Sequence, residues 1–135
     1  REFLLPGMRR IINLAHEAGA FVFHHNDGNC RRVIPDMIAA GIDLLNPIQW
    51  RSQGMERERL KKDFGDRIIF HGAMDNQHTL PFGTIEEVQK EVLDNLRIMG
   101  EGGGYILAPC HNIQPLTPSE NILAMYETCY KNGWM

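Results

Sequence analysis

Two histidines, an asparagine and an aspartate stand in a row in the stretch FVFHHNDGNC, residues 21–30, directly after an apolar run. Imidazole and carboxylate are the side chains that move protons and hold metal ions. Three further places in the chain repeat the arrangement. Asn46, Pro47 and Gln49 follow the apolar IDLLN. His71 and then Asp75, Gln77 and His78 follow RIIF. Cys110, His111, Asn112 and Gln114 follow YILA. Adjacent residues of a strand point to opposite faces, so only one of His24 and His25 can share a site with the other clusters. The bland alternatives are a satisfied, half-buried histidine at each place and, at Asp27-Gly28-Asn29, a simple turn before a helix. Coincidence at all four places argues for a common site.

Such clusters need elements that bring them together. Apolar residues recur at helical spacing at Met8, Ile11, Ile12, Ala15 and Ala18, after Pro6 in a first-turn position. Further helices are expected at about Arg31 to Ala40, Met55 to Phe64, Thr84 to Met99 and Pro118 to Tyr130. Glycines 19, 41, 65 and the GEGGG run close the first four, where a left-handed turn is expected. Thr84-Ile-Glu-Glu87 and Thr117-Pro-Ser-Glu120 both have the capping-box pattern. Short apolar strands alternating with these helices should be parallel and covered. The order is a helix followed by four βα units. An open doubly wound sheet or half of a (β/α)8 barrel fits this order. A doubly wound nucleotide binder normally has a glycine-rich loop after an early strand, whereas GEGGG precedes its strand. In a barrel, functional side chains gather where the strands end, as the four clusters do.

The 135 residues are 43% hydrophobic and 23% charged with a net charge of −3, the balance of one globular domain with no reason to bind nucleic acid. No apolar run approaches the roughly 18–20 residues of a membrane span, and the first residues lack the order of a signal peptide. Cys30, Cys110 and Cys129 are odd in number and form no CxxC pair. Free thiols in a reducing compartment follow, so a cytoplasmic location is expected. Cys30 and Cys129 read as small apolar fillers of helices. The chain starts at Arg1 without a methionine, so it is expected to be a piece of something longer.

HHNDGNCRRVIPDMIAAGIDLLNPIQ, FGDRIIFHGAMDNQHTLPFGTIEEV and GGGYILAPCHNIQPLTPSENILAMYE resemble the C-terminal half of the uroporphyrinogen decarboxylase superfamily over nearly the whole chain. That superfamily comprises decarboxylases of tetrapyrrole biosynthesis and cobalamin-dependent methyltransferases that exchange methyl groups with corrinoid proteins. The resemblance implies a C-terminal half of a (β/α)8 TIM barrel, strands five to eight with their helices. In the methyltransferase branch a zinc site uses a His-x-Cys motif and a later Cys. His25 matches the family histidine, whereas Asp27 and His111 stand where the two cysteines would be. In the decarboxylase branch the last position is a histidine that contacts substrate, which His111 fits. The Ser-Lys-Gly of that branch is replaced here by Asn26-Asp27-Gly28.

The resemblance thus implies His25, Asp27 and His111 as catalytic residues and as a zinc-ligand set, with Cys110 a weaker substitute. Zinc takes nitrogen and oxygen as well as sulfur, and in a methyltransferase it holds a thiol as thiolate. An N2O set would suit an oxygen leaving group or a water-derived nucleophile. Without metal, His111 would bind a carboxylate or relay a proton. Asn46, Gln49, His71, Asp75, Gln77 and Gln114 would contact substrate, the amides orienting its polar edges. A corrinoid-linked methyltransferase is favoured slightly, a uroporphyrinogen decarboxylase is the alternative, and the expected partner is a corrinoid protein or the tetrapyrrole itself. A third reading is an incomplete piece that folds only by pairing with a second copy or with the missing N-terminal half, because four parallel strands leave two open edges.

Overall fold

The computed structural model describes residues 1–133. Helix α1 (Leu5–Glu17) leads into β1 (Phe23–His25), α2 (Ile34–Ala40), β2 (Leu44–Asn46), α3 (Arg57–Phe64), β3 (Ile69–Met74), α4 (Thr79–Phe82), α5 (Ile85–Met99), β4 (Tyr105–Pro109) and α6 (Ser119–Asn132). The four strands form one parallel sheet in the order β1-β2-β3-β4. This is the expected βα succession, and every strand ends on the same side.

Alternation along each strand separates two faces. Leu45 and Phe70 are fully buried beneath the helices, each a gain of roughly 2–3 kcal/mol over exposure. They join Ile34, Met37, Ile48 and Leu60 in the larger core, while Met74, Val88, Val92 and Met125 form a second core beneath α5 and α6. The opposite face of the sheet lies open. Phe23 is 51% exposed and Ile106 45%. Apolar side chains also remain exposed on α1 (Ile11, Leu14) and on α6 (Leu123, Tyr126). In a closed barrel such positions would be covered by further βα units.

Local chemistry explains most boundaries. Thr84 caps α5 with the full reciprocal box, its side chain accepting from the Glu87 N–H while Glu87 accepts from the Thr84 N–H. Gly41 ends α2 at φ +98°, a conformation that is strained for any side chain. Several expectations need correction. Gly65 and Gly100 close α3 and α5 with right-handed geometry, and the left-handed residues come later, at Gly102, Gly103 and Gly104. The Thr117 box does not form, because Pro118 itself is the N-cap and no side chain caps α6. The helix expected from Arg31 begins with a 3-10 turn, Arg31–Val33. Helix α4, the four residues directly after His78, has no periodic signal in the sequence.

Candidate active-site mouth

The C-terminal strand ends enclose a recess of about 510 Å³ lined by Phe23, His25, Asn46, His71, Cys110 and His111 among others. His25, Asn46, His71 and His111 do share one rim. Sheet register explains this: His25 lies directly opposite Asn46, and Leu45 opposite Phe70, so Asn46 reaches His71 on the next strand. His24, on the other face of β1, is half-buried, and burial first and neighbouring His25 second lower its pKa. Although β1 and β4 are the two edges of the sheet, the sheet curves enough to set the His25 and His111 rings 6.3 Å apart, nearly perpendicular.

A chain of hydrogen bonds crosses the mouth. His25 Nδ1–H donates to Asn46 Oδ1 at 2.7 Å, and the Asn46 amide donates to His71 Nδ1 at 2.8 Å. The Nε2 of His25 faces Asp27 Oδ2 at 3.2 Å. The Phe23 ring meets His71 edge-on at 4.9 Å, and burial lowers the His71 pKa. The loop after β1 is tied to that after β2 by the Gly28 N–H, which donates to Gln49 Oε1 at 2.6 Å. Asp27, Gly28, Gln49, Gln77 and His111 then line a hollow continuous with the mouth through His111.

Other expected site residues are placed differently. Asn46 lines the recess but is only 8% exposed, and each end of its amide is engaged by a histidine. Asp75 is buried and paired with Arg51 (Nε–Oδ2 2.5 Å) and His78 (3.1 Å), facing an adjoining crevice of about 200 Å³. Gln114 is turned onto its own loop, donating to the Asn112 carbonyl. Cys110 is buried and its thiol donates to the Ile48 carbonyl. Burial, reinforced by the carboxylates of Asp75, Glu91 and Asp27, pushes that thiol up to about 12, against the pull of a backbone bond at Ala73. Such a thiol is a poor source of thiolate for a metal.

Residues that the patterns did not mark form a network beside Asp75. Arg51 and Arg57 both lie over the Trp50 ring, 4.7 and 4.2 Å from its centre. Trp50 Nε1 and the Asn95 amide donate to the carbonyl of Ala73, while Arg57 donates to Asn95. Glu91, buried in α5, accepts from the Asp75 N–H. The Trp-Arg pair directly after Gln49 was the available signal.

A tetrahedral zinc ion with ligands at about 2.0–2.1 Å sets its donor atoms roughly 3.3 Å apart. The 3.2 Å between His25 Nε2 and Asp27 Oδ2 matches two such positions, and Asn46 orients the ring from its other nitrogen. His111 does not complete the set. Among the described residues no group of three His, Cys, Asp or Glu is placed to hold one ion. The proposed ligand trio therefore does not fit as arranged here.

Half of a parallel βα barrel, with its hydrogen-bonding side chains gathered at the strand ends, is built like an enzyme's mouth. The family model described as "Uroporphyrinogen decarboxylase (URO-D)" matches residues 1–132, and the chain belongs to that family. It is 29% identical over 125 residues to the methylcobamide:CoM methyltransferase MtaA of Methanosarcina barkeri, covering 93% of this chain and 34% of that protein. It is 26% identical over 133 residues to the uroporphyrinogen decarboxylase of Anaeromyxobacter sp. strain Fw109-5, covering 98% and 36%. Among solved structures, a methyltransferase from Methanosarcina mazei superposes with a TM-score of 0.76 at 24% identity over 97% of this chain and 36% of that one, which supports the fold. The chain thus spans about a third of the length of the curated relatives it matches. No helix among the described residues is long and apolar enough to cross a membrane.

Proposed function

We propose that this chain supplies half of the reaction mouth of a URO-D family enzyme that exchanges a methyl group with a corrinoid carried by a partner protein. The observation that carries this reading is the chemistry of the recess. Its walls are imidazole, amide and apolar groups, and among the described residues none of those lining it is Lys, Arg, Asp or Glu. A porphyrinogen bearing several carboxylates calls for fixed cations, as carboxylate recognition by arginine illustrates. Arg51, which lines the neighbouring crevice, is instead engaged by Asp75, Thr79 and Trp50. A methyl group in transfer needs a dry, weakly polar enclosure with one polarising edge, which the His25–Asp27 pair provides. His25, turned by Asn46, orients the acceptor, and Phe23 with Ile113 supplies an apolar wall.

One observation favours the second reading, decarboxylation of a uroporphyrinogen. His111 is exposed at the end of β4, where a substrate carboxylate can meet it. The two are separated by assay of the intact protein. Loss of methyl from methylcobalamin to a thiol, followed by the visible spectrum of the cob(I)alamin formed, is expected and should fall sharply in His25→Ala. Consumption of uroporphyrinogen with no demethylation would replace the first reading by the second. Zinc content measured alongside reports whether residues outside this segment complete the pair at His25 and Asp27.

A further inference from the structure

Asn46 lies between β1 and β3, nearly out of contact with solvent, and each end of its amide meets an imidazole Nδ1, at 2.7 Å on His25 and 2.8 Å on His71. An amide carbonyl can only accept and an amide NH2 can only donate. A ring nitrogen facing the oxygen must therefore carry a proton, and one facing the NH2 must be bare. We infer that Asn46 is a positioning residue that holds the Nδ1 atoms of His25 and His71 in opposite states, one protonated toward the amide oxygen and the other bare toward the amide NH2.

Two consequences follow from the same atoms. Rotating the amide by half a turn exchanges both rings' states together, so neither histidine can change its Nδ1 proton alone without losing a buried bond. A carboxylate only accepts, so His25 Nε2 carries a proton where it faces Asp27 at 3.2 Å. With Nδ1 protonated as well His25 is the imidazolium, and a neutral His25 requires the amide turned the other way. Burial, which lowers the His71 pKa, favours the neutral form of that ring. The register that pairs His25 with Asn46, and Leu45 with Phe70 just before His71, supplies the spacing. What this does for a reaction, namely presenting one ring as acceptor-side and the other as a donor, rests on the proposed methyl-transfer reading; the tautomers themselves do not.

The test is a proton–nitrogen correlation spectrum of the histidine side chains in 15N-labelled intact protein at mildly alkaline pH. In the unsubstituted protein the expected pattern is a protonated Nδ1 at one of His25 and His71 and a bare Nδ1 at the other. Asn46→Asp, which is isosteric and accepts at both ends, should bring a proton to Nδ1 of both rings. Asn46→Leu should abolish the opposition between the two rings. In kinetics, Asn46→Asp should lower kcat by about tenfold or more with KM within about twofold, the pattern of a group aligned for the transition state. The same Nδ1 state at both rings of the unsubstituted protein overturns the inference without any variant having to fold. So do Nδ1 states left opposite by Asn46→Asp. A protein that shows the paired tautomers but transfers no methyl group would refute the functional reading and leave this one standing.

Discussion

Gly72, in the middle of β3, should resist replacement by any other residue. Its φ is +114°, well outside what an L side chain adopts comfortably, and a Cβ built on it would stand 3.0 Å from the Ile48 nitrogen and 3.3 Å from the Pro47 Cα. Both obstacles are backbone, and Ile48 N is itself bonded to the carbonyl of His71 at 3.2 Å. Gly72→Ala must therefore bear the backbone strain, on the order of 1–3 kcal/mol, and must push β2's exit away from β3, losing part of that hydrogen bond, about 1 kcal/mol. A total of about 2–4 kcal/mol is expected. Gly28 is the internal control, since its φ of +71° is also left-handed but a Cβ there would meet nothing within 4 Å. Gly28→Ala should cost only about 1–2 kcal/mol. Urea unfolding of the two variants, compared by midpoint and slope, measures the difference. Equal losses would refute the argument that the β2–β3 joint is sterically closed at this residue.

Thr84→Ala should destabilise by about 1 kcal/mol by removing the α5 cap, whereas Thr117→Ala should stay within about 0.5 kcal/mol because no side chain caps α6; thermal unfolding of both variants checks the contrast. Burial lowers the pKa of His24 and of His71, so the unfolded chain takes up their protons first as the solution is acidified. Stability should thus be fully present above the ordinary histidine value of about 6.5, decline as pH falls through it, and level off below the folded values; a urea midpoint that stayed flat or rose between about pH 8 and pH 5 would contradict this. The 135-residue chain alone should self-associate, because Phe21, Phe23 and Ile106 on or beside the open face and the apolar side chains of α1 are exposed together; sedimentation of a compact monomer at micromolar concentration would count against it.

The succession of elements and the direction of the strands were legible because they depend on local signals: helical spacing of apolar residues, the Thr84 box and the turn at Gly41. The shared rim followed from parallel strands alone. The roles of individual rim residues did not. Asn46 and Asp75 look like substrate contacts in the sequence because polar residues at strand ends often are, yet one is enclosed between two histidines and the other is neutralised by Arg51. Which partner a polar group meets depends on residues 21 to 25 positions away, and periodicity carries no information over that range.

The order of helices and strands, one cap, and the gathering of imidazole and amide groups at a single end are properties of neighbouring residues and could be derived before any coordinates. Whether a given side chain at that end is open to a ligand, locked to another side chain or packed under a helix depends on register and curvature. Those arise only when distant strands pair, because a hydrogen bond over about 3 Å selects among orientations that composition leaves equivalent.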